Sequence, residues 1–154
     1  MAKISKPKKT SKSSSKKSVG IKYSDKSINQ PELVPIFNEL VELLKPYERG
    51  SITIRGGSQG QISLVSEKEV LINGKKRDEM WFAAALVQKG YVGFYYMPVY
   101  GEPEMKKFFK PELLKCLKGK SCFHIKKYDK EIFNQIKEAL KKGYKCYIEK
   151  EWAD

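Results

Sequence analysis

Two apolar segments separated by two residues place the strongest constraint on how this chain of 154 residues folds. Residues 80–88 and 91–97 consist largely of aromatic and aliphatic residues, which is typical of strands, and residues 89–90 are Lys-Gly. A two-residue connection with a glycine is typical of a tight turn between antiparallel strands. The sequence therefore predicts a β-hairpin in which Val87 pairs with Val92.

The hairpin is apolar on both of its faces. Because side chains alternate along a strand, one face is predicted to carry Trp81, Ala83, Ala85, Val87, Val92, Phe94 and Tyr96. The opposite, second face is predicted to carry Phe82, Ala84, Leu86, Gly93, Tyr95 and Met97. Helices that flank such a sheet cover one face well, so the second face must meet a loop, another subunit or a ligand.

Apolar residues at helical spacing predict two amphipathic helices, one before and one after the strands. The first spans residues 31–47, with Asn29 and Glu32 forming a capping box at its start. The second begins after Asp129 and ends near Gly143, where two lysines and a glycine are typical of a helix C-terminus.

Further strands are predicted around residues 51–55, 61–65, 70–73 and 120–125. The order of a helix, a run of antiparallel strands and a helix predicts an α+β fold. We expect an antiparallel sheet of about five to six strands with the N- and C-terminal helices packed on one face, a two-layer sandwich. Residues 23–154 are predicted to form this single domain.

Residues 1–22 differ in composition from the rest of the chain. They are rich in lysine and serine, contain no acidic residue and have too few apolar side chains for a core, so we predict a disordered arm. Such an arm binds nucleic acid or another anionic polymer without reading sequence, and the alternative is a solubilising leader with no specific partner. The lysines concerned are Lys3, Lys6, Lys8, Lys9, Lys12, Lys16 and Lys17.

Charge and cysteine content bear on partners and on compartment. The formal net charge is +13, and without residues 1–20 the chain keeps 24 basic residues against 18 acidic ones, which favours anionic partners. No apolar run approaches the roughly 20 residues that span a bilayer. The three cysteines are an odd number, which is typical of a reducing compartment. We therefore expect a cytoplasmic protein that does not enter membranes.

The second face of the hairpin is the main candidate for function. We predict a ligand groove or a homodimer interface on it, with small side chains leaving room at its centre and a tyrosine closing one end. The residues concerned are Phe82, Ala84, Tyr91, Gly93, Tyr95, Met97 and Tyr100. The alternative is that short helices predicted between residues 103 and 117 cover this face.

Cys122 and His124 form the one pair of side chains that suggests a metal. They lie two positions apart in the predicted last strand, so their side chains share a face, but a zinc or iron site needs one or two further ligands. The alternative is a surface histidine beside an inert thiol. Since His124 is the only histidine and the sequence has no nucleophile motif, we predict a non-enzymatic protein that needs no cofactor.

Three stretches of the chain resemble the YdhG-like domain family: MWFAA at 80–84, KGYVGFYYMPVY at 89–100 and GKSCFH at 119–124. The resemblance spans most of residues 31–142 and implies a bacterial α+β sandwich of about this size. Some members have been described as frataxin-like iron chaperones, so the resemblance implies iron binding and delivery as an alternative function. We expect a non-enzymatic YdhG-like domain with an aromatic ligand or interaction surface, and nucleic-acid binding through the arm is the second alternative.

Overall fold

The predicted hairpin lies at the centre of a larger sheet. The computed structural model describes residues 24–154, so the predicted arm, residues 1–22, lies outside the described residues. The strands are β1 (Ile52–Ser58), β2 (Gln61–Ser66), β3 (Val70–Ile72), β4 (Lys75–Arg77), β5 (Met80–Gln88), β6 (Tyr91–Tyr96), β7 (Leu117–Lys118) and β8 (Cys122–Ile125). The helices are α1 (Val34–Leu44), α2 (Met97–Gly101), α3 (Pro111–Leu114) and α4 (Lys130–Glu149), with 3-10 helices at Pro31–Leu33, Lys45–Tyr47 and Pro103–Phe108.

Six strands form one antiparallel sheet in the order β1-β2-β5-β6-β8-β7, while β3 and β4 pair as a separate hairpin. In the central hairpin Val87 lies opposite Val92, which is the predicted register. The predicted α+β class and the antiparallel sheet are confirmed. The short strands β4 and β7 are absent from the sequence prediction.

Helices α1 and α4 form the second layer of the fold. Their buried side chains, such as Leu40 and Ile136, pack in one core with the sheet residues Ala85, Val92 and Phe94. The packing of the N- and C-terminal helices on one face is confirmed. Within residues 24–154, no helix is long and apolar enough to cross a bilayer.

Helix α1 begins in two steps. A 3-10 turn over Pro31–Leu33 leads into the α-helix, and neither segment has a side chain hydrogen-bonded at its N-cap. The predicted capping box of Asn29 and Glu32 is therefore wrong. Pro31 and Pro35 each lie in the first turn of their segment, where a backbone N–H would have no helical acceptor.

Helix α4 begins where the sequence predicts. The carboxylate of Asp129 accepts hydrogen bonds from the backbone N–H groups of Glu131 at 2.9 Å and Ile132 at 3.4 Å. The rings of Tyr128 and Phe133 stack across this start with centroids 5.0 Å apart. The cap and the ring contact together fix the direction in which the chain enters the helix.

The predicted end of this helix at Gly143 is wrong, since α4 continues to Glu149. The hydroxyl of Tyr96, in the sheet, donates a hydrogen bond to the carbonyl of Ala139 and lies directly over Gly143. A Cβ atom built on Gly143 would lie 2.5 Å from the Tyr96 Oη and 2.7 Å from Pro98 Cγ. The glycine therefore provides room for a neighbouring side chain instead of ending the helix.

The segment between residues 103 and 117 does not cover the second face. The ring of Phe109 packs against Tyr96 and Phe123, which belong to the core on the helical side, with centroids 5.8 and 5.5 Å apart. The backbone N–H of Leu113 donates to the Gln135 side chain of α4 at 3.1 Å. This segment extends the helical layer, so the alternative in which it covers the second face is wrong.

A β-bulge in β5 alters the two faces of the hairpin. Leu64 of β2 pairs with Ala83, whereas the next residue, Val65, pairs with Trp81. Phe82 is therefore an extra residue in β5 and interrupts the alternation of side chains.

The bulge turns Phe82 towards the helices. Its side chain is 0% exposed, and its ring lies 5.2 Å from Tyr147 and 6.5 Å from Tyr144, both in α4. Trp81 takes the place on the second face that Phe82 would occupy in a regular strand. The predicted placement of Phe82 on the second face and of Trp81 on the opposite face is therefore wrong.

Candidate functional site

A cleft opens at the end of the sheet where β5 extends beyond β6. Strand β6 ends at Tyr96 and the chain turns into α2, so the first residues of β5 pair with β2 alone. The β3–β4 hairpin, α2 and the C-terminal end of α4 border the remaining space, which has a volume of about 780 Å³. Clefts that bind small organic molecules typically have volumes of about 300–1,000 Å³.

Much of the wall of this cleft is aromatic or thioether surface. The residues that contribute it are Met80, Trp81, Tyr95, Met97, Tyr100 and Trp152. Both tryptophans of the chain are in this set. Rings placed around one cavity offer flat apolar surface against which a planar ligand can stack.

Trp152 is held in place by the sheet and by α4. Its backbone carbonyl accepts a hydrogen bond from the Ser66 hydroxyl at 2.7 Å, and its backbone N–H donates to the Tyr147 carbonyl at 2.8 Å. Its ring meets the Tyr147 ring edge to face with centroids 5.2 Å apart. This wall of the cleft is therefore built by a residue that follows α4 and lies far along the chain from β5.

Tyr147 connects this wall to the bulged strand. Its hydroxyl donates a hydrogen bond to the carbonyl of Trp81, and burial raises the pKa of the phenol well above its ordinary value. The tyrosine therefore remains a neutral hydrogen-bond donor across the physiological pH range. It links the backbone at the two tryptophans of the cleft.

The acidic groups at the cleft are already paired with basic ones. Arg55 donates to both carboxylate oxygens of Glu79, at 2.9 and 3.4 Å, and this hydrogen bonding is the main reason why the pKa of Arg55 is raised. Lys150 pairs with Glu102 at 3.1 Å, and its ammonium lies 5.2 Å from the centre of the Trp152 ring. Arg55 also donates to Glu67 at 3.2 Å, so its guanidinium is shared between two carboxylates, whereas Lys150 and Glu102 form a one-to-one ion pair.

Arg77 adds a positive charge to the same cleft. It lies at the end of β4, where its backbone pairs with Val70 of β3. Among residues 24–154, its guanidinium has no hydrogen bond and no ion pair. The cleft therefore combines an apolar aromatic wall with a cation that is free to bind an anion.

Four of the seven residues predicted for a ligand surface line this cleft: Ala84, Tyr95, Met97 and Tyr100. Phe82 lies in the core, whereas Tyr91 and Gly93 lie farther along β6 and outside the cleft. Ala84, one of the two small residues predicted to leave room at the centre of the groove, is part of the lining. The room expected above Gly93 is filled, because a Cβ atom there would lie 3.1 Å from Tyr95 and 3.5 Å from Tyr91.

Tyr91 and Tyr95 also lie beside the two candidate metal ligands, His124 and Cys122. The Tyr91 ring stacks on the His124 ring with centroids 3.8 Å apart and planes 14° from parallel. Tyr95 lies opposite Cys122 in the sheet. Burial, followed by the neighbouring thiol, raises the pKa of Tyr95 to about 12.

Cys122 and His124 share one side of β8, while Phe123 and Ile125 are buried on the other, as predicted. Burial raises the pKa of the Cys122 thiol, which keeps it protonated at neutral pH. Within the described part of the chain, no group of three or more histidine, cysteine, aspartate or glutamate side chains lies close enough to hold a metal ion. Iron binding by this pair therefore stays a prediction without a third ligand from residues 24–154.

Sequence reasoning missed the residues that complete the cleft. Because of the bulge, Trp81 lies on the face opposite to the one predicted. Lys150 and Trp152 follow a helix that the sequence predicts to end at Gly143 but that continues to Glu149. Arg77 lies in β4, which is outside the strands that the sequence predicts. A tryptophan in an otherwise charged C-terminal stretch was the available signal for Trp152, because so large an apolar side chain seldom stays fully in solvent.

Comparison of the chain with protein-family models, with curated protein sequences and with solved structures gives no match. Functional inference therefore rests on the geometry of the cleft and on the charges around it.

Proposed function

We propose that the chain is a non-enzymatic, YdhG-like ligand-binding domain whose site is the cleft between β5, α2 and the β3–β4 hairpin. The observation that carries the proposal is the convergence of Trp81 and Trp152 with Tyr95 and Met97 on one cavity. These residues come from three separate parts of the chain, since Tyr95 and Met97 are two positions apart. The ligand class that fits such a wall is a small planar molecule with one or two rings.

The polar groups around the cleft support binding rather than chemistry. Tyr95, with its pKa raised to about 12, keeps its proton at neutral pH, and the carboxylate of Glu79 is held by Arg55. General acid–base catalysis works best with a group whose pKa lies near the working pH. These side chains therefore orient the ligand, and the protein binds it without changing it chemically.

The three cysteines at positions 116, 122 and 146 are free thiols in the fold, which supports a reducing compartment. We place the protein in the cytoplasm on this basis. A homodimer contact through the second face of the sheet stays a prediction.

The experiment is a titration with N-phenyl-1-naphthylamine, a neutral fluorophore with aromatic rings, monitored by tryptophan quenching and by energy transfer to the probe. Both tryptophans line the cleft, so a bound probe lies close to every indole of the chain. We expect saturable binding to one site. Replacement of Trp81 by alanine should weaken binding about tenfold, because it removes a large stacking surface.

The matched control is Tyr91→Ala, which removes an aromatic ring from the same side of the sheet but outside the cleft. We expect this variant to bind the probe as the unchanged protein does. Non-saturable fluorescence, or equal loss of binding in Trp81→Ala and Tyr91→Ala, would contradict the proposal. Such results would mean that the probe adsorbs to exposed rings in general.

A further inference from the structure

The charge distribution at the cleft restricts the ligand further. Arg77 lines the cavity at the open end of the β3–β4 hairpin, opposite Val70, and has no ionic partner among residues 24–154. Lys76, the preceding residue of β4, pairs with Glu69 at 2.8 Å and does not line the cavity. The hairpin therefore contributes one unpaired guanidinium to the space that the aromatic rings surround.

The nearby carboxylates do not neutralise Arg77. Glu79 is engaged by Arg55 through two hydrogen bonds, and Glu102 is engaged by Lys150. Asp78, although adjacent in sequence, forms no ion pair with Arg77 and is absent from the wall of the cavity. The groups that face the cavity therefore carry an excess of positive charge.

We infer that the ligand of this cleft is an aromatic acid, a planar ring system that carries a carboxylate or a phosphate. The inference rests on the proposed function, since it needs the cleft to be the binding site. The rings of Trp81 and Trp152 bind the planar part of the ligand, and Arg77 binds the acidic group. A guanidinium presents parallel N–H donors that match the two oxygens of a carboxylate or a phosphate.

The second cation of the cleft has a lesser role. The ammonium of Lys150 already has Glu102 as a partner and lies over the Trp152 ring. The carboxylate of Glu102 therefore offsets the charge of Lys150. Arg77 is the cation available for direct contact with the ligand.

The test compares three probes with the same two rings, by quenching of tryptophan fluorescence in the full chain. They are naphthalene-2-carboxylate, 2-naphthyl phosphate and the neutral naphthalene-2-carboxamide. We expect at least one acid to bind about fivefold more tightly than the amide at low salt. The expected gain is modest because Arg77 is exposed to water, which weakens its ion pair with the acidic group of the probe. Comparison of the carboxylate with the phosphate tells which acidic group the site prefers.

Arg77→Gln should remove the preference for the acids while leaving binding of the amide unchanged. The matched control is Lys75→Gln, which removes the same charge from the same strand at a position outside the cleft. That control should keep the preference. Rising salt concentration should weaken binding of the acids and leave binding of the amide unaffected.

Two results would overturn the inference, and they differ in what they say about the proposed function. If the amide binds saturably and as tightly as both acids, the cleft binds rings but the acid preference is wrong. If none of the three probes quenches the tryptophans at millimolar concentration, the binding site itself is wrong. Equal loss of acid preference in Arg77→Gln and Lys75→Gln would also overturn the inference, since it would reflect the overall charge of the hairpin.

Discussion

The hydroxyl of Tyr96 occupies the position where a side chain on Gly143 would begin. A Cβ atom built there would lie 2.5 Å from that oxygen and 3.0 Å from the Tyr96 Cε1. The hydroxyl also donates a hydrogen bond to the carbonyl of Ala139, one turn earlier in α4. This close approach of the sheet to its C-terminal helix therefore depends on a glycine within that helix.

Gly143→Ala should destabilise the protein by about 1–3 kcal/mol, because overpacking of a filled core forces neighbouring atoms to move. In an exposed helix the same change would stabilise by about 1 kcal/mol, since glycine disfavours helix. Urea unfolding followed by circular dichroism measures the difference. Lys145→Ala, on the exposed side of α4, is the control and should change stability by less than about 0.5 kcal/mol.

Tyr96→Phe removes the obstructing hydroxyl and should relieve part of the Gly143→Ala penalty. The two substitutions combined should therefore destabilise less than the sum of the single changes. A gain in stability from Gly143→Ala alone would contradict the close contact.

Phe82→Ala and Trp81→Ala should have very different effects on stability. Phe82 is fully buried among the aromatic rings of the helical layer, so its removal should cost about 3–5 kcal/mol. Trp81 lies on the second face and lines the cleft, so its loss should cost less than about 1.5 kcal/mol. Urea midpoints of the two variants test this, and equal losses would argue that β5 has no bulge at Phe82.

The titration of His124 provides a prediction on pH. Burial, followed by the charges of Lys118 and Lys126, lowers its pKa below the ordinary histidine value. A lowered pKa means that the unfolded chain binds the proton more readily. The stability that the neutral ring contributes is therefore present above about pH 6.5, the unfolded value, and is lost as the pH falls through the folded pKa.

Proton NMR measures this directly, because His124 is the only histidine in the chain. We expect a pKa below that of a histidine peptide, and Lys118→Gln should move it upward. The effect on the melting temperature should be small, since the ring is only partly shielded from water. An unshifted or raised pKa of His124 would contradict the partial burial of its ring against Tyr91 and the proximity of the two lysines.

The lysine-rich residues 1–22 should give weak, sequence-independent binding to nucleic acid. If the seven lysines of residues 1–20 contacted phosphates of a duplex, log affinity would fall with log salt with a slope of roughly −6, at about −0.9 per contact. Fluorescence anisotropy should show this salt dependence for residues 1–154 and not for residues 24–154. Equal binding by both chains would place the site in the folded domain, and no binding by either at low salt would leave the arm without this role.

The features that the sequence predicted correctly are determined by residues close together in the chain. The register of the central hairpin follows from the length of its turn, and the start of α4 follows from Asp129 with Glu131 and Ile132. The errors concern contacts between distant residues. Gly143 and the lysines before it resemble a helix C-terminus when only neighbouring residues are considered. In the fold, the glycine leaves room for Tyr96, which approaches from the sheet.

The candidate site was predicted in part for the same reason. Alternation places Ala84 and Tyr95 correctly, because both follow the bulge in regular strands. The extra residue at Phe82 reverses the faces on which Trp81 and Phe82 lie. No feature of the neighbouring sequence reveals this bulge. The β3–β4 hairpin was detectable: Asn73 and Gly74 have φ angles of 52° and 80°, and Asn-Gly is the dipeptide most typical of such a turn.

Residues 152–154 are bound to the edge of the sheet by three separate contacts. The Trp152 carbonyl accepts a hydrogen bond from the Ser66 hydroxyl, and the backbone N–H of Asp154 donates one to the Ser51 hydroxyl at 2.9 Å. The Asp154 carboxylate forms an ion pair with Lys68 at 2.8 Å. Digestion from the C-terminus must break these contacts before it can remove the indole that lines the cleft. Resistance to carboxypeptidase is therefore a measure of how firmly this wall of the cleft is held, and it can be followed without any label on the protein.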